Sequence, residues 1–155
     1  MIANGTNQTQ DRLALQSRLS EIAQVPAWTE DLAFRYAIPG DVHFAMDLCL
    51  EEILSNIVRH GYAGEQDRPV IVNFSKLREG YFVIVVEDEA PYFNPLDAPE
   101  LPMVSPDEPK RTGGQGIRLV RQFANDLAYE PTPTGNRLRL GFTSGDCQAN
   151  PKQDG

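Results

Sequence analysis

Residues 69–88 constrain the fold more than any other stretch. Two apolar runs, "PVIVNFSKL" (69–77) and "GYFVIVVED" (80–88), stand almost back to back across "REG". β-branched and aromatic side chains dominate both, so both read as strands, and so short a joint folds them into a hairpin. The second run is continuously apolar, as in a strand buried at the centre of a sheet. Such a sheet needs a covering layer.

The rest of the chain supplies that layer. "RLALQSRL" (12–19) alternates apolar and polar residues and predicts a strand. Ser20 is expected to cap a helix over 21–37 with Ile22, Val25, Trp28, Leu32 and Tyr36 on one face. Pro26 either kinks that helix or marks its true start. Asp41 is expected to cap a second helix, Val42 to about His60, ended by "HGYAG". Residues 89–112 are proline-rich and aperiodic, with a lid expected over about 96–112. A helix over 114–125, a strand over 126–131, the turn "TPTGN" and the strand "RLRLGF" (137–142) complete the pattern. The expectation is an α+β two-layer sandwich: a mixed, mostly antiparallel sheet with helices on one face. Residues 11–143 would form one domain, with residues 1–10 and 144–155 disordered.

Charge narrows the partners. The net charge is −8, with no lysine-arginine cluster beyond short local pairs, so direct binding to a nucleic-acid backbone is not expected. No apolar run approaches the ~20 residues that span a bilayer, and the opening "MIANGTNQTQDR" does not read as a secretory signal. Cys49 and Cys147 form no metal-type pair. Two cysteines in a chain of this size fit a reducing cytoplasm.

The helix after Asp41 carries polar residues where a core helix should not. Asp47, Glu51, Ser55 and Arg59 form a solvent line, while Ala45, Cys49, Ile53 and Ile57 point to the core. Glu52, Asn56 and His60 form a second polar line beside the apolar arc. A carboxylate and an amide there must be partnered, wetted or face a ligand. Asp88 ends the central strand, either as a turn cap or as an acceptor for a ligand. While ionised it can only accept hydrogen bonds, which suits the exocyclic amine of adenine and opposes the carbonyl of guanine.

"TGGQGIRLV" (112–120) opens the third helix. No Lys-Ser/Thr follows its last glycine, and no strand precedes it, so neither the P-loop nor the Rossmann pattern applies. Glycines at a helix N-terminus still let backbone N–H groups approach a polyanion, and Lys110 and Arg111 add charge beside them.

Taken in order, E-x-x-x-N on an apolar helix, a strand-end Asp before "FNP", and G-G-x-G-I after a lid resemble the N, G1 and G2 boxes of the Bergerat-fold (GHKL) ATPases. "EEILSNIVRHGY", "DEAPYFNP" and "GGQGIRLVRQFANDLAYEPTPTGNRLRL" are most similar to the anti-sigma-factor serine kinases of bacterial partner-switching systems. The resemblance covers roughly residues 12–142. It implies ATP and Mg²⁺ as cofactors, Glu52 as general base and Asn56 as the Mg²⁺ ligand. It also implies a nucleotide site drawn from Asn56, Arg59, His60, Asp88, Ala90, Phe93, Arg111, Gly113, Gly114, Gln115, Gly116 and Ile117. The implied activity is serine/threonine phosphorylation of a small anti-anti-sigma protein by a homodimer that also binds a sigma factor. The alternative is a partner-binding module without kinase activity. Two departures stand out: Ala90 replaces the glycine of the usual D-x-G, and Arg139 lies near where relatives place a small hydroxyl residue by the adenine.

Overall fold

A computed structural model describes residues 9–97 and 114–145. Five strands, β1 (Thr9–Gln16), β2 (Pro69–Arg78), β3 (Tyr81–Asp88), β4 (Asp126–Pro131) and β5 (Asn136–Thr143), form one sheet in the order β1-β2-β3-β5-β4. Every pairing is antiparallel, so the sheet is not mixed. The turn at residues 132–135 folds β5 back between β3 and β4, antiparallel to both.

The register sorts the side chains cleanly. Val72, Val86 and Leu138 lie side by side, as do Phe74, Ile84 and Leu140, and all six are buried. This is period-2 alternation carried across three strands. The opposite face carries ion pairs, including Arg137 with Glu87 at 2.5 Å and with Glu130 at 2.6 Å.

The described chain also has four α-helices, α1 (Leu19–Ile22), α2 (Val25–Tyr36), α3 (Gly40–Asn56) and α4 (Gly114–Phe123), and two short helical turns, Ile57–Gly61 and Pro95–Asp97. Pro26 sits in the first turn of α2 and marks a start, not a kink, because its missing N–H is not needed there. Ser20 caps nothing; the N-cap positions are Arg18 for α1 and Gln24 for α2. Asp41 also differs from expectation. The N-cap of α3 is Pro39, and Asp41 lies inside the first turn, where its Oδ1 accepts the Val42 N–H at 2.9 Å. A carboxylate in a first turn is still favoured by the helix dipole. The first strand begins at Thr9, three residues before the alternation does, because Thr9 through Asp11 find partners on β2.

Met46, Leu50 and Leu54 of α3 and Leu32 of α2 join the buried sheet face in one apolar cluster. Thr29 Oγ1, fully buried on α2, donates to Asp47 Oδ1 of α3 at 2.5 Å and lies 3.2 Å from His43 Nε2. α2 reaches the sheet as well, with the Tyr36 ring 5.1 Å from Phe74, so α2 and α3 lie side by side in one layer on the buried sheet face. Among the described residues no helix is long and apolar enough to cross a membrane. The expected lid lies almost wholly outside the described residues, as do residues 1–8 and the tail from 146.

Candidate functional site

Glu52 and Asn56 are both half-buried near the end of α3, beside buried Cys49 and Ile53. Burial, and then the charge of Glu52, push the Cys49 thiol up to about 12. The carboxylate therefore stands at the border of the core, as the helical spacing predicts.

After Asn56 the helix widens into a π-helical turn, Ile57–Gly61, closed by the Tyr62 N–H on the Ile57 carbonyl at 2.8 Å. Such single turns insert one extra residue and recur at functional sites. His60 and Arg59 are exposed on it. Arg59 parts company with Glu52 and Asn56. It lines a groove of about 480 Å³ together with Asp47, Glu51 and Ser55, under the α1–α2 corner. The line expected to face open solvent thus forms one wall of that groove, because the chain between β1 and α2 turns across it.

Asp88 is half-buried at the end of β3. Its Oδ1 accepts the Ala90 N–H at 2.8 Å and Asn136 Nδ2 at 2.9 Å. Burial raises its carboxyl above the ordinary value, and these two hydrogen bonds act in the opposite direction. Among the described residues no hydrogen bond reaches Oδ2. Turn capping and ligand acceptance are therefore compatible, one on each oxygen.

The backbone following Asp88 is held from two directions. Tyr62 accepts the Glu89 N–H on its hydroxyl at 2.6 Å and donates to the Pro69 carbonyl at 2.7 Å. Asn136 reaches the Ala90 and Pro91 carbonyls, both at 3.2 Å, and its Oδ1 accepts the Phe93 N–H at 3.0 Å. Ala90 is 4% exposed and belongs to the core cluster. A Cβ added at Gly61 would lie 3.3 Å from the Ala90 methyl, so Gly61 leaves the room that Ala90 uses. The methyl packs inward. Phe93, 62% exposed, is free of the core.

Asn136, Gly135 and Tyr62 escape the sequence reading. Asn136 is the residue opposite Asp88 in the ladder. Arg139, singled out on that strand instead, pairs with Val85 and bonds Asp126 at 3.1 Å. Counting on from the preceding turn is the signal that could have found Asn136.

α4 begins at Gly114, so Gly114, Gln115 and Gly116 form its first turn. Ile117 and Val120 are buried. Phe123 packs edge-on against Phe44 at 5.9 Å, setting the end of α4 beside the start of α3. Two helices packed alongside with that contact run antiparallel. At 1.5 Å per residue, Gly114 falls roughly 14 Å back along α4, level with the Glu52–Asn56 part of α3. Gly113 and Arg111 lie outside the described residues. No group of three or more His, Cys, Asp or Glu side chains that could hold a metal occurs among the described residues.

The sequence model of the histidine kinase-like ATPase domain family matches residues 15–142. The serine/threonine-protein kinase BtrW of Bordetella bronchiseptica is 26% identical over 130 residues, covering 84% of this chain and 91% of that protein. Among solved structures, the RsbU and RsbW domains of Rv1364c from Mycobacterium tuberculosis superpose with a TM-score of 0.62 at 13% identity. That likeness covers 87% of this chain and 32% of the larger one, and it concerns the fold alone.

Proposed function

Since the chain belongs to the histidine kinase-like ATPase domain family, we propose that it is an ATP-dependent serine/threonine protein kinase of the partner-switching type. The observation that carries this reading is the half-buried Glu52–Asn56 pair, one helical turn apart near the end of α3, on a helix that α4 packs against. A purely structural helix has no need of a carboxylate and an amide at the border of its core.

In this reading Asp88 Oδ2 accepts the exocyclic amine of adenine. Gly114, Gln115, Gly116 and Ile117 offer the N–H groups of the first turn of α4 to the phosphates, with Gly113 and Arg111 ahead of them. The Asn56 amide oxygen is the protein ligand for Mg²⁺, which neutralises phosphate charge when bound. His60 and Phe93, both exposed, border the nucleotide. Arg59 is left out, because it lines the other groove. Glu52 takes the proton of a partner's serine hydroxyl as that oxygen bonds to the γ-phosphorus. The bond from the γ-phosphorus to the β,γ-bridging oxygen breaks, and ADP leaves. The partner is a small anti-anti-sigma protein, the enzyme a cytoplasmic homodimer, and a sigma factor its second ligand. Ala90 is the feature that favours a module independent of nucleotide; that its methyl packs in the core against Gly61 supports the nucleotide-dependent reading instead.

The test is phosphoryl transfer from Mg-ATP to a cognate anti-anti-sigma protein. Glu52→Ala is expected to slow transfer by about 10²–10⁴-fold, the usual contribution of a general base, while ATP still binds. Transfer at the normal rate by that variant would remove Glu52 from the chemistry.

A further inference from the structure

Asn136 has no part in the reading above, yet its amide makes five hydrogen-bond contacts. Nδ2 faces three acceptors: Asp88 Oδ1 at 2.9 Å, and the Ala90 and Pro91 carbonyls at 3.2 Å each. Oδ1 faces two donors, the Phe93 N–H at 3.0 Å and the Tyr129 hydroxyl at 2.5 Å. An amide offers two N–H groups and one oxygen with two lone pairs, so this side chain is saturated on both ends. A carboxylate would set a second negative oxygen against Asp88, and a hydroxyl would bring one donor to three acceptors. The side chain is buried, 8% exposed, so water does not substitute for the missing bonds.

We propose that Asn136 is the positioning residue for base selection: it occupies Oδ1 of Asp88 and fixes the backbone of residues 90–93, leaving Oδ2 as the one carboxylate oxygen that reads a 6-amino purine. This rests on the nucleotide reading given above. Two consequences follow from the geometry. An ionised carboxylate accepts from an amine and meets a carbonyl acceptor to acceptor, so by keeping Asp88 ionised and in place Asn136 sets the preference for adenine over guanine. The donated N–H also favours the ionised carboxylate, so Asn136 extends binding to lower pH. The other titratable groups around Asp88 do not duplicate this. Tyr62 donates elsewhere and is pushed up by burial, Arg68 pairs with Glu89 at 3.7 Å, and the Tyr129 hydroxyl donates to Asn136 Oδ1.

The experiment measures ADP and GDP affinity across mildly acid to neutral pH for the wild type, Asn136→Ala and Asn136→Thr, with thermal melts on the same samples. Asn136→Ala is expected to weaken ADP about tenfold, in keeping with loss of a hydrogen bond to a charged group. The ADP-over-GDP ratio should fall by a similar factor, and the pH at which ADP binding is half lost should rise by about half a unit or more. Asn136→Thr, with one donor, should fall between, and it carries the test if the alanine variant does not fold. The nucleotide's own phosphates titrate alike in all samples, so differences between proteins report on Asp88. A folded variant whose ratio and acid limb match the wild type, or which loses ADP and GDP equally with the limb unmoved, overturns the assignment. A wild type that binds neither nucleotide overturns the kinase reading instead.

Discussion

Gly135 is the tightest point in the described structure for which a single methyl gives a signed prediction. A Cβ built there would lie 2.0 Å from the Asp88 carbonyl oxygen and 2.6 Å from Glu89 Cα. Ordinary non-bonded contact begins well above 3 Å, so the two backbones would have to part by more than about 1 Å. Neither is free to do so. Asn136 is laddered to both Asp88 and Pro131, and Thr132 holds the turn through its N–H on the Gly135 carbonyl and its Oγ1 on the Gly135 N–H, both at 2.9 Å. No rotamer change relieves backbone against backbone, so Gly135→Ala belongs at the upper end of overpacking costs, about 3 kcal/mol. For a domain of this size that lowers Tm by about 6–12 °C. The sign is diagnostic, because Gly135 does not have a positive φ. Without the clash, alanine would stabilise by about 0.4–1 kcal/mol through the unfolded chain. Circular-dichroism melts measure the shift, and an ADP titration should show at least a tenfold loss as the end of β3 is displaced. A Tm at or above that of the wild type would refute the close approach of this turn to Asp88.

Two other substitutions probe the same end of the sheet. Asp88→Asn keeps an oxygen for the Ala90 N–H and Asn136 but replaces Oδ2 with a donor, so ATP affinity should fall at least tenfold, a charge-assisted bond being worth about 1.5–3 kcal/mol. Because the folded carboxyl sits above its ordinary value, the native state holds its proton longer than the unfolded chain. Asp88 therefore costs stability as pH rises from the ordinary carboxylate range through its folded value. Asp88→Asn should thus melt at or above the wild type at neutral pH, with the advantage vanishing in acid; a variant less stable at neutral pH than in acid, relative to wild type, contradicts the sign. Gly61→Ala should cost about 1 kcal/mol by crowding the Ala90 methyl, and Ala90→Gly should recover much of it in the double variant. Strict additivity of the two in thermal melts would mean that the methyl does not pack there.

The parts of this structure that were legible in the sequence are those written in contiguous residues. The hairpin of β2 and β3 is an alternating run beside a continuous apolar one, and α3 shows its core face and its Glu52–Asn56 line at a period of 3.6. The parts that were missed depend on pairing. Polar Thr9 to Asp11 are strand because β2 lies alongside, not because of their own pattern. The solvent line of α3 became a groove wall because α1 and α2 cross it. Asn136 acts on a carboxylate 48 residues away, and which residue of β5 faces Asp88 is decided by the length of a turn.

The two ends of the site are joined by a short rigid connection. Asn56 closes α3, and five residues of π-helical turn lead to Tyr62. Tyr62 is 5% exposed and bonds both the start of β2 and the first residue after Asp88. Gly61, its neighbour, lies against Ala90. An α-helical turn in place of the π-turn would have one residue fewer to the turn and would rotate Gly61 and Tyr62 away from these contacts. The widened turn therefore sets where the Asp88 segment stands relative to Glu52 and Asn56. In the kinase reading this spacing is that between base and phosphates, and buried hydrogen bonds and packing hold it in place at the Tyr62 and Asp88 end of the site.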